Sequence, residues 1–352
     1  MTRSTCRWRR IRGGTLAAAC LSVCLVLSAA GARAQSNGVA GVPGLSGILP
    51  LTAGSVLVYW PPGSTALRLV AEGASGKAGV RAVRTGSGWA VMEGLLAGQD
   101  YRFRLTDGYI LGPVRFHTHG DPYVEWGFVP APAPGVGERG ADAPLLLSRT
   151  EITNELYLRY CREAGAPYPE EPNFRDVRDY LQNYPHHPVV NVTWHGAAGF
   201  CDWLSRTLGL PPGSVRLPAE AEWERAARAS SGLYPWGDAR PDKTRAHYGD
   251  SRPARVGSYP ASPDGLWDLA GNVWEWCRDW YVPEEPSGAA GEPLFKVVRG
   301  GSWADPPDML RMEARGKLSP GVGLSTVGFR VARPLPEGFP GAAAALMDET
   351  GK

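Results

Sequence analysis

Short alternations of apolar and polar residues fill the chain between residues 55 and 118, and they predict β-strands. The runs Ser55–Trp60, Ala66–Val70 and Tyr101–Leu105 alternate with a period of two, and glycine or proline residues separate them. Closely spaced short strands of this kind are typical of a small antiparallel sandwich. We therefore predict an all-β domain over residues 50–119.

Two motifs in this region resemble those of fibronectin type III domains. Leu96–Tyr101 resembles the turn that precedes the tyrosine corner of that family, and Tyr59–Pro62 resembles the strand that carries its core tryptophan. The resemblance implies that the predicted all-β domain is a fibronectin-III-like β-sandwich.

The pattern changes after a proline- and glycine-rich linker at residues 131–140. Apolar residues recur at helical spacing in three segments, Glu155–Ala164, Trp194–Leu208 and Pro218–Arg228. Glycine and aromatic residues punctuate the remainder, which indicates many loops. We predict a loop-rich α+β domain over residues 121–334 and a flexible tail over residues 335–352.

The first 34 residues have the pattern of a signal peptide. Six arginines and no acidic residue flank an apolar run over residues 16–30, which is too short to cross a membrane as a helix. Small residues around Arg33 predict cleavage after Ala34. Two further interpretations stay open, a lipid anchor at Cys20 and a twin-arginine signal at Arg9 and Arg10. We expect a periplasmic or secreted protein with no transmembrane segment in the mature chain.

Cleavage would change the charge of the protein. Removing six of the 37 basic residues leaves 31 against 35 acidic ones, a net charge near −4. This balance gives no support for nucleic-acid binding. The mature chain keeps Cys161, Cys201 and Cys277, which can form one disulfide at most. Buried, unpaired thiols are the alternative.

Seven segments of the second domain carry a recognisable series of motifs. They are, in chain order, Arg149–Tyr157, His187–Trp194, Arg216–Glu224, Tyr234–Asp238, Gly265–Trp276, Arg299–Trp303 and Gly328–Ala332. In this order they resemble the formylglycine-generating-enzyme, or sulfatase-modifying-factor, family. The resemblance covers nearly all of the second domain. It implies a C-type-lectin-like α+β fold with calcium as an internal structural ion.

The motif Gly265–Trp276 contains the predicted calcium site. Asp268 and Glu275 lie seven residues apart around a glycine-asparagine turn, so two carboxylates and the intervening carbonyls can converge on one hard cation. By similarity to the family, the ligands are the side chains of Asp268 and Glu275 and the carbonyls of Gly271 and Val273. The alternative is that both acids are surface residues beside buried tryptophans.

The copper site of the family's enzymes is missing from this sequence. Those enzymes oxidise a cysteine of a sulfatase peptide with copper(I), which two cysteine thiolates hold because the ion is soft. Here Asp305 occupies the first cysteine position, the second falls near Leu310, and no cysteine follows Cys277. We expect no copper cofactor and assign no catalytic residue. Asp305 and Asp308 are an acid-base pair or, alternatively, part of a surface turn.

The peptide-binding groove of the family is the remaining candidate site. The resemblance places five residues along it: Arg299, Ser302, Trp303, Arg311 and Arg315. Arginines beside a tryptophan can hold an acidic or aromatic ligand. Alternatively, Arg299 and Arg315 brace the core through hydrogen bonds.

These residues favour a non-catalytic exported protein, stabilised by calcium, that serves as a binding or accessory component, for example in a periplasmic signalling or secretion-regulating pathway. Its expected partner is a peptide, a glycan or a protein of the cell envelope. The alternative is a cysteine-independent enzyme of the pyoverdine-maturation type, which shares the fold and also lacks the cysteine pair. The third possibility is an authentic formylglycine-generating oxidase, which the missing cysteines argue against.

Overall fold

A computed structural model of the chain describes residues 47–52, 55–59, 70–73, 81–86, 88–95, 100–104, 110–115, 123–132, 143–228, 232–283 and 293–335. The predicted signal peptide, most of the predicted linker and nearly all of the predicted tail lie outside these residues. The predicted core-tryptophan segment after Tyr59 lies outside them as well. Nothing described therefore tests the cleavage site or the flexible tail.

In the N-terminal region the described residues form seven antiparallel strands: β1 (Gly47–Thr52), β2 (Ser55–Tyr59), β3 (Val70–Gly73), β4 (Arg81–Gly86), β5 (Trp89–Glu93), β6 (Asp100–Arg104) and β7 (Ile110–Arg115). They make one sheet of order β1-β2-β5-β4 and another of order β3-β6-β7. These are the two sheet orders of an immunoglobulin constant-type sandwich. The all-β region thus has the predicted strand content, while its fibronectin-III-like character stays a prediction.

The described residues of the C-terminal region form four helices and two small sheets. Its helices are α1 (Asn154–Ala164), α2 (Tyr180–Asn183), α3 (Trp194–Thr207) and α4 (Glu220–Ala227), with a 3-10 turn at Pro307–Leu310. Its strands are β8 (Trp126–Val129), β9 (Leu145–Ser148), β10 (Trp274–Trp280), β11 (Lys296–Arg299), β12 (Arg315–Leu318), β13 (Val327–Gly328) and β14 (Ala332–Pro334). One sheet has the order β14-β9-β8 and the other β12-β11-β10-β13.

The three predicted helices are confirmed with their boundaries shifted by only one or two residues. Thr153 caps α1 by accepting from the amide of Leu156, and α1 ends at Gly165 in the left-handed region, at φ 66°. Thr193 caps α3 by accepting from the amide of Gly196. The threonine caps therefore mark where α1 and α3 begin, and the glycine marks where α1 ends.

One large apolar cluster contains residues of both regions of the described chain. Leu57 of β2 and Val91 of β5 belong to the same buried cluster as Trp126 and Phe128 of β8. The ring of Trp89 packs edge-on against Phe128, with centroids 4.6 Å apart. The first sheet thus lies directly on the α+β domain. None of the helices described is both long and apolar enough to cross a membrane.

The cysteines of the described residues, Cys161, Cys201 and Cys277, are free and buried. Burial raises the pKa of the Cys161 thiol to about 11. A thiol with a raised pKa is a poor nucleophile and a poor metal ligand at neutral pH. Cys161, Cys201 and Cys277 therefore act as small apolar residues, which was the alternative to a disulfide.

Candidate functional site

A group of buried charged side chains lies where the sequence predicts the calcium site. Glu275 on β10 is 0% exposed, and Asp268 in the preceding loop is 8% exposed. Glu151, between β9 and α1, and Arg330, just before β14, complete the group and are almost wholly buried. Because ionised groups are costly to bury, each needs a compensating partner.

Arg330 neutralises Glu275 through two parallel hydrogen bonds. The parallel pairing of β10 with β13 places Glu275 opposite Gly328, two residues before Arg330. Nε and Nη2 of Arg330 then donate to Oε2 and Oε1 of Glu275, at 2.6 Å each. The indole Nε1 of Trp223 also donates to Oε2, at 2.6 Å. Both carboxylate oxygens of Glu275 therefore have charge-assisted donors.

The carboxyl groups of Glu151 and Asp268 accept fewer hydrogen bonds than that of Glu275. Asn272 donates to Oε1 of Glu151 at 2.9 Å, and the amide of Gly257 donates to Oδ2 of Asp268 at 2.6 Å. The other oxygen of Glu151, Oε2, is buried and accepts no hydrogen bond from the described residues. Burial raises the pKa of Asp268 to about 6. Burial, followed by the charges of Asp268 and Glu275, raises the pKa of Glu151 well above its usual value.

The raised pKa of Asp268 predicts a pH dependence of the free energy of unfolding. The carboxyl group of an unfolded aspartate has a pKa of about 3.9. In the folded state the pKa of Asp268 is about 6, so the folded state binds the proton more tightly. Protonation of Asp268 therefore stabilises the folded state fully below about pH 4, and this stabilisation is lost as the pH rises through about 6. Asp268→Asn should therefore gain stability relative to the wild type over this window. Denaturant midpoints measured across it test this, and parallel pH profiles would contradict it.

The predicted calcium ligand set of Asp268, Gly271, Val273 and Glu275 combines two carboxylates with two backbone carbonyls, and it stays a prediction. Calcium takes roughly six to eight oxygen ligands, but hydrogen-bond donors already occupy both oxygens of Glu275. Each oxygen of an ionised carboxylate has two lone pairs, so the single bond from Arg330 leaves Oε1 of Glu275 able to accept a further partner. In the described ranges, no group of three or more His, Cys, Asp or Glu side chains is arranged to hold a metal ion.

Two of the predicted groove arginines brace the core instead. Arg299 is 0% exposed and donates to Glu220 at 3.1 Å and to Glu224 at 2.9 Å, both on α4. Arg315 donates to both oxygens of Glu220, at 2.6 and 2.8 Å. These bonds tie α4 to β11 and β12. The prediction that Arg299 lines a ligand groove is therefore wrong, because its guanidinium does not reach the surface.

The other three predicted groove residues differ in their exposure. Ser302 is 0% exposed and cannot line a groove, so that prediction is also wrong. Trp303 is half-buried, and its indole donates to the carbonyl of Ser325 at 3.0 Å. The side chain of Arg311 is 44% exposed, with a carboxylate oxygen of Asp308 at 3.6 Å. Of the five predicted groove residues, Trp303 and Arg311 are thus the two that can contact a ligand without disrupting a buried residue or the ion pairs to α4.

Both positions that hold cysteines in the family's enzymes have structural contacts here. One oxygen of Asp305 accepts from the amide of Ser302 and the indole of Trp274, both at 2.9 Å, and from the Ser302 hydroxyl. Leu310 is 1% exposed and packs in a small apolar cluster with Tyr234. Asp305 therefore closes the turn after the paired glycines, and it does not form an acid-base pair with Asp308.

A row of aromatic rings connects this segment to an open cavity. Trp303 packs edge-on against Phe174, Phe174 against Tyr180, and Tyr180 stacks on Tyr184, with centroids 5.6, 5.0 and 5.6 Å apart. Tyr184 lines a cavity of about 760 Å³ whose other lining residues are Asp176, Val177, Arg178 and Asn183. The guanidinium of Arg252 lies 5.6 Å from the Tyr184 ring centroid. The buried rings of Phe174 and Tyr180 thus connect the half-buried Trp303 to the wall of the cavity.

Two members of the buried charged group, Glu151 and Arg330, are not among the residues that the sequence predicts for a site. Each has a signal in the sequence. Glu151 precedes Ile152 directly before a helix cap, and Arg330 stands between Phe329 and Val331 in an apolar run. A charged residue within such a run is buried and requires an opposite charge.

Comparison with known proteins agrees with these motifs. The profile of the sulfatase-modifying factor enzyme 1-like domain matches residues 137–335. The serine/threonine-protein kinase pkn1 of Chlamydia pneumoniae is 38% identical over 206 residues, which are 52% of this chain and 32% of that protein. The formylglycine-generating enzyme of Streptomyces coelicolor is 34% identical over 184 residues, 44% of this chain and 55% of that enzyme.

Among solved structures, Treponema denticola variable protein 1 is similar over 60% of this chain and 95% of its own, with 26% identity and a TM-score of 0.48.

The chain spans only about a third and about half of the two curated relatives. Their activities are therefore statements about those proteins. Because the matching profile covers more than half of the chain, this protein belongs to the sulfatase-modifying factor enzyme 1-like family, which includes the formylglycine-generating enzymes.

Proposed function

We propose that this family member is a non-catalytic binding or accessory protein. The proposal rests on the residues that occupy the two positions at which the family's enzymes have cysteines. Asp305 closes a turn through three hydrogen bonds to one of its oxygens, and Leu310 is a core residue. A carboxylate and an aliphatic side chain supply none of the soft ligands that copper(I) requires.

The binding surface in this proposal comprises Trp303, Arg311, Arg252 and the cavity beside Tyr184. A half-buried tryptophan, two arginines and an open depression suit a peptide with acidic and aromatic side chains. Arg311 has one exposed carboxylate near it, so its guanidinium keeps donors for a ligand. We assign the peptide to a partner protein of the cell envelope.

A peptide array probed with the full chain tests this surface. Acidic peptides that contain an aromatic residue should be retained, and Trp303→Ala or Arg311→Ala should reduce their retention about tenfold or more, as expected for residues that carry binding energy. Trp280→Ala is the matched control, because Trp280 is another exposed tryptophan at the end of β10. Equal retention by all variants would overturn the proposal, as would a selective loss with Trp280→Ala.

Export of the protein is part of the same proposal. The arginine-rich, acid-free start of the chain and its short apolar run support a signal peptide that is cleaved after Ala34. Mass spectrometry of the exported protein should then find Gln35 as the first residue. A lipid-modified Cys20 at the terminus would contradict this and would place the protein on a membrane surface.

A further inference from the structure

We propose that the cavity between α1 and α2 is a second binding site, which takes a free peptide of about three residues. The cavity has a volume of about 420 Å³, within the range of roughly 300–1,000 Å³ that is usual for small-ligand sites. Its lining residues are Glu155, Leu158, Arg162, Tyr168, Leu181, Gln182 and Pro185. None of them lines the cavity beside Tyr184 or belongs to the surface around Trp303, so the site is separate from the one proposed for an acidic peptide.

Helix α1 places opposite charges at the two ends of this cavity. Glu155, Leu158 and Arg162 are spaced by three and four positions along α1, so they lie on one face of the helix. The helical rise of about 1.5 Å per residue puts Glu155 and Arg162 about 10 Å apart along the helix axis. A ligand that bridges both charges therefore needs a positive and a negative group at about that separation.

The acidic end of the cavity can hold an ammonium group. The side chain of Glu155 is 66% exposed, and its Oε2 lies 3.6 Å from Nδ1 of His186. The amide of Glu155 donates to the carbonyl of Pro185 at 3.0 Å, which fixes the facing wall at this end. An ionised carboxylate has about four acceptor positions, so Glu155 retains positions for the amino group of a peptide.

The basic end of the cavity can hold a carboxylate. The Cys161 thiol donates to the carbonyl of Pro167 at 3.4 Å, and this contact keeps the following residue, Tyr168, beside the last turn of α1. Tyr168 is 57% exposed. Arg162 has no ion-pair partner among the described residues. A guanidinium fork and a phenol hydroxyl are both donors, and together they suit the carboxyl end of a peptide.

The centre of the cavity suits one apolar side chain. Leu158 and Leu181 are 8% and 4% exposed and form its apolar floor, whereas the amide of Gln182 at the rim can both donate to and accept from a peptide bond. An extended chain covers about 3.3–3.6 Å per residue. Three residues therefore span the distance from Glu155 to Arg162, with the middle side chain over the two leucines.

Calorimetric titration of the full chain with the peptide Gly-Leu-Gly tests the proposal. The free peptide should bind, and forms acetylated at the amino end or amidated at the carboxyl end should each bind about threefold to fivefold more weakly, as expected for loss of one exposed charge pair. Glu155→Gln should weaken binding of the free peptide by the same factor and leave the acetylated form unaffected. Arg162→Gln should do the same for the free and amidated forms.

Two controls distinguish this site from others. Glu163→Gln removes another exposed carboxylate of α1, one that pairs with Arg159 at 2.7 Å, and should leave the affinity unchanged. Trp303→Ala should also leave it unchanged, so a failure of this proposal is separable from a failure of the peptide surface around Trp303.

Three results would overturn the proposal. One is the absence of Gly-Leu-Gly binding to the wild type. Another is equal binding of the free, acetylated and amidated peptides. The third is an equal loss for all three peptides in the Glu155→Gln and Arg162→Gln variants, because the charged ends would then not be what these residues recognise.

Discussion

Replacing Arg299 by methionine should destabilise the protein by about 3–5 kcal/mol, because it removes the fully buried member of an ion-pair network with Glu220 and Glu224. The Arg299 guanidinium is fully buried and contacts Glu220 and Glu224 of α4, at 3.1 and 2.9 Å. It also donates to the carbonyl of Met312 in the loop before β12. In the variant, Glu220 keeps its bonds from Arg315 and Glu224 keeps its ion pair with the more exposed Arg228, so the loss comes from the buried part of the network. The midpoint of denaturant unfolding measures the effect.

Arg311→Met is the matched control for Arg299→Met. Both substitutions remove an arginine from the segment that resembles the family's groove, but the Arg311 side chain is 44% exposed. An exposed ion pair contributes about 0–1 kcal/mol, so Arg311→Met should hardly move the midpoint. An Arg299→Met variant with wild-type stability would contradict the bracing role and would return Arg299 to the ligand groove.

Gly271→Ala should be the second most damaging substitution, with a loss of about 3 kcal/mol or more from clash and backbone strain together. Gly271 has φ 86°, and a Cβ at this position would lie 2.3 Å from the carbonyl oxygen of His247. That carbonyl accepts from the amide of Asn272 at 2.8 Å, so it cannot withdraw without loss of a hydrogen bond. Chemical denaturation compared with the wild type provides the measurement.

Gly165→Ala separates the two causes of the Gly271→Ala effect. Gly165 also has a positive φ, of 66°, but a Cβ there would meet nothing within 4 Å. This control therefore carries only the conformational cost of a left-handed residue, about 1–2 kcal/mol. Equal losses at the two positions would show that the approach of His247 is not the determining contact.

The sequence predicted the parts of the fold that depend on local chemistry. Helices α1 and α3 follow from apolar periodicity, and Thr153 and Thr193 mark their starts. Helix α4 follows from its early acids and late arginines, although Glu222 takes part in its cap by accepting from the amide of Ala219 at 2.8 Å. These features require only residues within one or two turns of each other.

The buried charged group was not predictable in this way. Glu275 and Arg330 are 55 positions apart in sequence and meet only because β13 pairs in parallel with β10. Seven residues between Asp268 and Glu275 suggested a common ion, but the spacing does not reveal a distant guanidinium. Arg299 illustrates the same limit, since its motif placed it in a groove and its partners on α4 placed it in the core.

In the N-terminal region, the local sequence determines which residues form strands, whereas contacts between distant strands determine their order in the sheets. Alternating residues predict strands such as β2 and β6, because alternation reflects local exposure. Sheet order depends on which strands meet, and the observed orders β1-β2-β5-β4 and β3-β6-β7 are those of an immunoglobulin constant-type sandwich. Local motifs such as Leu96–Tyr101 do not contain that information.

The most direct test of the central claim, that this chain cannot carry out the copper chemistry of its family, is an oxidation assay on the full chain. Purified protein would be incubated with copper(I), oxygen and a sulfatase-type Cys-x-Pro-x-Arg peptide, with a cysteine-containing formylglycine-generating enzyme as positive control. Because Asp305 and Leu310 replace the thiolate pair, the peptide thiol should remain unchanged, as in a protein-free blank. Formation of the aldehyde product above that blank would contradict the proposed function.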